Sequence, residues 1–275
     1  MNIIVITAIF AAVLAFLLGS ALGFFKKMFF VAEDPLVAEL RAMLPGANCG
    51  ACGFPGCDGY AAAVASQKAP GNKCSVGGKS VAEKIVALVG GSANITPQVA
   101  VLACRGTKDK AILKGTYIGV QNCRSAKIST GSIKGCSWGC QGFGDCVKVC
   151  KFDALSMGPG GIPVIDYTKC TGCRACAAEC PQHIIRVVPK DLKGAIPLCS
   201  NLNVLKAMVG KNCKHGCIKC ELCVKNCPEK CIKMVNGIPV VDYEKCTSCG
   251  TCVEKCPIKV IKLFRRDVTQ GLSAK

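Results

Sequence analysis

The sequence predicts an α+β chain: one apolar helix at its start, then small domains organised by cysteine rather than by an ordinary core. Three observations predict it. Residues 3–25 run for 23 positions without a charge. The segment Gly161-Ile-Pro-Val-Ile-Asp-Tyr-Thr-Lys-Cys170 returns as Gly237-Ile-Pro-Val-Val-Asp-Tyr-Glu-Lys-Cys246, without a gap and 76 positions on. The 275 residues include 25 cysteines but only 5 % aromatics. A chain this long should divide into two to four small domains, and these lack the apolar mass to hold together unaided.

As a helix, the apolar run spans about 35 Å, enough to cross a bilayer core with some tilt. A secretory signal would carry a basic start, a shorter apolar core and a small-residue cleavage site, and Met1-Asn2-Ile3 offers no basic start. Residues 1–27 are therefore expected to be a retained single-pass transmembrane anchor. Lys26-Lys27 behind it put the rest of the chain in the cytoplasm by the positive-inside tendency. Gly19 and Gly23 give this helix a small-residue face for another membrane helix.

Cys246, Cys249, Cys252 and Cys256-Pro257 stand at C-x2-C-x2-C-x3-C-P, the run of bacterial two-cluster ferredoxins. Three thiolates on one tight loop grip one four-iron cubane and the fourth reaches the neighbouring one, so each run needs a partner. Cys217, Cys220, Cys223 and Cys227-Pro228 supply it. Upstream, Cys170, Cys173, Cys176 and Cys180-Pro181 repeat the first run, and so long a repeat is a duplicated unit. Its partner is read as Cys136, Cys140, Cys146 and Cys150, stretched to C-x3-C-x5-C-x3-C by an insert at residues 141–145. Crossing over in each pair gives four expected sets: Cys136, Cys140, Cys146 and Cys180; Cys150, Cys170, Cys173 and Cys176; Cys217, Cys220, Cys223 and Cys256; Cys227, Cys246, Cys249 and Cys252. The prolines behind Cys180 and Cys256 are expected to open a helix, with His183 in the first of them.

Before these lies Asn48-Cys49-Gly-Ala-Cys52-Gly-Phe-Pro-Gly-Cys57, followed by Cys74. It is not a ferredoxin run, but it supplies four thiolates for one more cubane. Its glycines leave backbone N–H groups free to approach sulfur. Helices are expected at 33–44, 60–67 and 80–89, the last closed by Gly90-Gly91. Five cysteines remain. Cys104, Cys123, Cys199 and Cys213 flank the ferredoxin units and form a candidate sixth set, while Cys231 reads as a core thiol. The alternative, that all five are buried small hydrophobes, stands beside it. The resulting division is an anchor at 1–27, a small helical 4Fe-4S domain at 33–91 and a connecting segment at 92–132. Two tandem 2[4Fe-4S] ferredoxin-like domains follow at 133–190 and 213–265, with a linker at 191–212 between them and a tail at 266–275.

Disulfides are the plain alternative for so many cysteines, but C-x2-C-x2-C cannot easily cross-link internally and an odd total fits poorly. Structural zinc usually shows paired C-x2-C knuckles. Clusters also imply a reducing compartment. The formal charge is +18; each oxidised cubane on four thiolates contributes roughly −2, leaving about +8 with five or +6 with six. Lys148, Lys151, Lys206, Lys211, Lys214, Lys219 and Lys225 lie among the cysteines, a basic surface suited to an acidic electron carrier. No aromatic-basic motif accompanies them, so nucleic acid is not expected as a partner. Trp138 is expected to shield a cluster from water, His183 and His215 to be structural, and Asp166 and Asp242 to be turn residues. No nucleophile–base pair, phosphate-binding glycine loop or paired carboxylates stand out. No catalytic residue is expected beyond redox clusters.

An uncharged amino-terminal helix, the Asn48 to Cys57 motif and ferredoxin units together resemble the RnfB family, the B component of the Rnf complex, over essentially the whole chain. The glycine-rich motif is the most specific part. The resemblance implies [4Fe-4S] clusters on Cys49, Cys52, Cys57 and Cys74 and on the ferredoxin runs. It implies a membrane-bound oxidoreductase that couples electron flow between reduced ferredoxin and NAD to Na+ or H+ translocation. The RnfB component resembles its entry port for ferredoxin electrons, beside subunits A, C, D, E and G in the cell membrane. Many family members have one two-cluster ferredoxin domain where this chain has two. An anchored polyferredoxin serving a different reductase and a cysteine-rich zinc scaffold are the rival readings.

Overall fold

The computed structural model describes residues 3–29, 34–203 and 205–264. The tail at 266–275 and residue 33, where the second helix is expected to start, lie outside the described residues. Helix α1 (Ile3–Met28) is 26 residues long and ends on Lys26 and Lys27. Its Val5–Met28 stretch has a mean hydropathy of 2.5 and none of it is buried in the protein, so this apolar surface has no partner within the described residues. The Thr7 hydroxyl donates back to the Ile3 carbonyl at 3.1 Å, which satisfies a polar group inside the helix.

Helices α2 (Pro35–Met43), α3 (Cys57–Ala65) and α4 (Gly78–Val89) form a small helical unit. Asp34 caps α2 by accepting from Leu36 N at 2.9 Å, with Pro35 in the first turn. Gly90, at φ 78°, ends α4 in the left-handed region that favours glycine. Leu40, Tyr60, Val64 and Ile85 are its buried centre, joined by Cys57 and Cys74.

Two similar units follow. The first holds β1 (Gln98–Leu102), α5 (Cys123–Thr130), α6 (Asp145–Lys148), β2 (Leu155–Met157), β3 (Pro163–Ile165), α7 (Ala175–Glu179) and β4 (Ile185–Pro189). The second holds β5 (Gly194–Pro197), α8 (Lys206–Asn212), α9 (Leu222–Lys225), β6 (Ile232–Val235), β7 (Ile238–Val241), α10 (Thr251–Glu254) and β8 (Ile261–Phe264). Each has an antiparallel hairpin, β2–β3 or β6–β7, and a second antiparallel pair, β1–β4 or β5–β8. Leu102 pairs with Ile185 and Pro197 with Ile261. The segments read as connector and linker therefore carry a strand each, because a lone strand at the end of a ferredoxin unit leaves its backbone groups unpaired. Ile196, Leu198 and Phe264 of the second unit enter the core of the first, where Phe264 meets Tyr167 edge-on at 5.7 Å.

No helix follows Cys180-Pro181 or Cys256-Pro257 among the described residues. A turn closes instead, His183 N donating to Cys180 O at 3.0 Å and Lys259 N to Cys256 O at 3.1 Å, and His183 sits in that turn at φ 51°. The reason is the added strands. Ala103 N donates to Ile184 O and Leu198 N to Val260 O, so the chain is captured as strand before a helical turn can form.

Candidate metal centres

The glycine-rich motif is shaped by its backbone. Gly50, Gly53 and Gly56 adopt φ of 71°, 88° and 96°, conformations costly to any side chain. Asn48 Oδ1 accepts from Cys57 N at 2.7 Å, which fixes the loop to the start of α3. Tyr60, buried in α3, donates to Pro70 O at 2.8 Å and accepts from Lys73 N at 3.0 Å. These bonds bring Cys74 back to the loop. Cys49, Cys52, Cys57 and Cys74 then line one hollow. Burial raises the Cys74 thiol above its ordinary range, and the three other sulfurs raise it further, against a hydrogen bond from Gly77 N.

In the second ferredoxin unit the expected sets assemble. Cys217, Cys220, Cys223 and Cys256 line one hollow, and Cys227, Cys246, Cys249 and Cys252 line another. The turns that aim them start from left-handed residues: Glu221 at φ 59° caps α9 and Gly250 at φ 85° caps α10. Gly144 and Arg174 do the same for α6 and α7 in the first unit. A non-glycine residue held there stores strain, here at the loops that direct four cysteines inward. Cys231 adds a fifth sulfur to the second hollow, 3.4 Å from Cys227. Cys249 alone of the 25 cysteines is exposed.

In the first unit, Cys150, Cys170, Cys173 and Cys176 come together: burial pushes the Cys176 thiol up to about 12, with Cys170, Cys173 and Cys150 adding to it. The other set differs from expectation. Cys123, Cys140, Cys146 and Cys180 share a hollow, and burial followed by Cys123 and Cys180 pushes Cys146 up to about 12. Cys136 lies elsewhere. With Cys104, Cys199 and Cys213 it lines a hollow between the two units, where burial and those three sulfurs push it to about 12. A Cβ at Gly106 would stand 3.6 Å from the sulfurs of both Cys104 and Cys213. Cys123 and Cys136 thus exchange places relative to the sequence reading.

The exchange has a legible cause. Shifted by 77 positions, Cys136, Cys140, Cys146 and Cys150 fall on Cys213, Cys217, Cys223 and Cys227. Nothing is inserted at 141–145. Phe143 simply stands where Cys220 does, packed edge-on against Tyr117 at 5.5 Å, and Cys123 at the start of α5 brings the missing sulfur. Asp145 accepts from Cys123 N at 2.7 Å and holds it there. Likewise Cys104 follows β1 as Cys199 follows β5. Cys140 N donates to Cys104 Sγ at 3.5 Å, and Cys217 N to Cys199 Sγ at 3.4 Å. Each unit contributes an equivalent pair of cysteines to the shared hollow. The 77-residue register, one more than the obvious repeat, is the signal that sequence reading missed.

The six sets form an unbroken succession. Cys49 bears on Cys173, and Lys151 Nζ reaches Ala47 O at 3.1 Å and Asn48 O at 3.3 Å. Cys146 bears on Cys176, and Cys104 on Cys140. Cys199 bears on Cys217, and Cys223 on Cys252. His215 lines the shared hollow beside Trp138, while His183 lines none of them. Asp166 and Asp242 accept from Thr168 N and Glu244 N as matching turn residues.

All 25 cysteines are free of disulfides. Among the described residues, no three Cys, His, Asp or Glu side chains converge tightly enough for a single ion. Tetrahedral zinc at about 2.3 Å from each sulfur needs sulfurs about 3.8 Å apart. A cubane spreads its four thiolates over four irons, so it needs a wider ring of sulfurs around a void. Five such hollows of similar size, about 300–370 Å³ each including solvent-open space, fit that group. Each cysteine must bind as a thiolate, so loading releases protons and ties metal binding to folding.

Family models agree with this chemistry. Residues 44–76 match one described as "Putative Fe-S cluster", and residues 163–186 and 239–262 each match a 4Fe-4S binding domain. The chain carries 4Fe-4S binding domains. It is 39 % identical over 247 residues to the B component of the Na(+)-translocating ferredoxin:NAD(+) oxidoreductase complex of Acetobacterium woodii, covering 89 % of this chain and 73 % of that one. It is 39 % identical over 233 residues to the B component of the ion-translocating oxidoreductase complex of Methanosarcina acetivorans, covering 84 % and 88 %. A third relative, the B component of the proton-translocating ferredoxin:NAD(+) oxidoreductase complex of Clostridium ljungdahlii, is 40 % identical over 244 residues, covering 88 % and 85 %. With this degree of identity over most of each chain, the chain belongs to the RnfB family, the B components of ion-translocating oxidoreductase, or Rnf, complexes.

Proposed function

We propose that this chain is the electron-relay subunit of a membrane-bound ferredoxin:NAD+ oxidoreductase that couples electron flow to Na+ or H+ translocation. The observation that carries it is the unbroken succession of four-cysteine sets from Cys249 to Cys49. Bound [4Fe-4S] clusters supply one-electron transfer; the protein's part is to hold, space and insulate them. Six are proposed, on Cys227, Cys246, Cys249 and Cys252; Cys217, Cys220, Cys223 and Cys256; Cys104, Cys136, Cys199 and Cys213; Cys123, Cys140, Cys146 and Cys180; Cys150, Cys170, Cys173 and Cys176; and Cys49, Cys52, Cys57 and Cys74.

Reduced soluble ferredoxin docks near the exposed Cys249, where Lys245 is largely exposed. Of the lysines read as basic surface, Lys219 is buried and takes no part in docking. Helix α1 anchors the chain in the cell membrane with residues 33–91 and both ferredoxin-like domains in the cytoplasm, beside subunits A, C, D, E and G. The test is anaerobic purification of the membrane assembly with iron and sulfide counted per chain. About 24 irons are expected, and Cys252→Ala should lose about four of them while still inserting in the membrane. Zinc in place of iron, or co-purification with an unrelated reductase, would overturn the reading.

A further inference from the structure

The six sets differ in the fixed charges around them. Among the described residues, the hollow shared by the two units is lined by Lys134 and Arg105 and by no carboxylate. Lys134 is 2 % exposed, and its ammonium donates to Gly106 O at 2.6 Å. Arg105 reaches the Lys259 carbonyl at 2.6 Å. On the second-unit side, Lys219 is 8 % exposed and lines the Cys217 hollow. Its Nζ is buried without a hydrogen-bond partner among the described residues, and its charge bears on Cys199 of the shared set. On the first-unit side, Lys134 bears on both Cys140 and Cys213. One buried ammonium therefore lines the shared hollow and the other lines the neighbouring Cys217 hollow.

A buried cation without enough hydrogen bonds is costly unless negative charge stands close by. The charge on offer is that of the sulfur sets, more negative still once reduced. The first-unit neighbour is less favourable to added negative charge: the hollow of Cys123, Cys140, Cys146 and Cys180 is lined by the buried Asp145. The Cys217 hollow has a buried cation of its own in Lys219. In the first unit the position of Lys219 is held by Gly142, also at positive φ, so this cation is absent from the other copy.

We propose that the buried ammonium of Lys134 raises the reduction potential of the cluster on Cys104, Cys136, Cys199 and Cys213 above that of its first-unit neighbour on Cys123, Cys140, Cys146 and Cys180, so that an electron rests there before entering the first unit. The proposal rests on the six-cluster reading and assigns Lys134 a part in it. Lys134 touches no reacting atoms and acts as a positioning charge.

The experiment is an EPR-monitored redox titration of the intact, anaerobically purified assembly, with iron counted in each sample. The wild type is compared with Lys134→Met, and with Lys219→Met as a control at the neighbouring hollow. Lys134→Gln removes the charge while keeping polarity, and Lys134→Arg retains it. The signal abolished by Cys199→Ala identifies the central cluster. In the wild type that signal should be reduced before the one abolished by Cys123→Ala. The central signal should move to lower potential in Lys134→Met and Lys134→Gln, stay near its place in Lys134→Arg, and move less in Lys219→Met. An unmoved signal at full iron content would overturn the proposal and leave the six-cluster reading intact. Loss of central iron from Lys134→Met and Lys134→Gln alike would also overturn it, since the lysine would then build the site rather than set its potential. A wild type with about 20 irons and no signal dependent on Cys199 would sink the six-cluster reading itself.

Discussion

Cys231 places its sulfur 3.4 Å from that of Cys227 within one hollow. The same backbone position in the first unit belongs to Ala154. Asp242 N donates to the Cys231 carbonyl at 2.8 Å as Asp166 N donates to that of Ala154 at 2.7 Å. The second copy therefore holds a spare thiol that the first lacks. Cys227→Ala is expected to keep most of its iron, because Cys231 needs only a small side-chain rearrangement to take the vacated position. Cys150→Ala, without such a neighbour, should lose about four irons. Equal losses in the two variants would refute this.

Membership of the sets can be read by pairing variants. Cys123→Ala and Cys180→Ala should abolish the same EPR signal, and Cys136→Ala and Cys199→Ala a different one. If Cys136→Ala instead matched Cys180→Ala, the exchange between Cys123 and Cys136 would be wrong.

Tyr60→Phe removes a buried hydroxyl that joins Pro70 O and Lys73 N. Leaving those groups unpaired should cost about 1–3 kcal/mol, felt locally. Hydrogen exchange should quicken across residues 70–77 while the ferredoxin units keep their protection, and iron should be lost first from the Cys74 set on warming.

Lys151→Ala breaks the bonds from its ammonium to Ala47 O and Asn48 O. Amides of the 44–52 loop should exchange about tenfold faster. Stopped-flow reduction of the glycine-rich cluster should slow with no change in its potential. A shift in potential instead would mean that Lys151 acts through its charge rather than by holding the loop.

Much of this molecule is legible in its sequence because cysteine spacing is a local code. The Cys246 to Pro257 run and its partner describe loops whose ends are close in the chain, and their four-sulfur sets assemble in the second unit as read. The same holds for the glycine-rich motif and for the stop at Gly90. What escapes is non-local. Cys123 and Cys104 reach their sets through strand pairing and a capping carboxylate, and neither leaves a mark in local spacing. The turns after Cys180 and Cys256 read as helices because proline is compatible with a helix start. Only the pairing of β1 with β4 and of β5 with β8 excludes one. Lys219 reads as surface for the same reason: lysine ordinarily faces water, and its burial here involves the non-local approach of Gly237, where an added Cβ would meet Nζ at 2.6 Å.

The pocket between the units draws two sulfurs from each side, Cys104 and Cys136 from one, Cys199 and Cys213 from the other. A chain trimmed to a single ferredoxin repeat would keep half a nest and could not fill it. Removing one repeat from this protein therefore takes three stations out of the line rather than two, and lengthening an ancestral one would have added a junction together with the new pair.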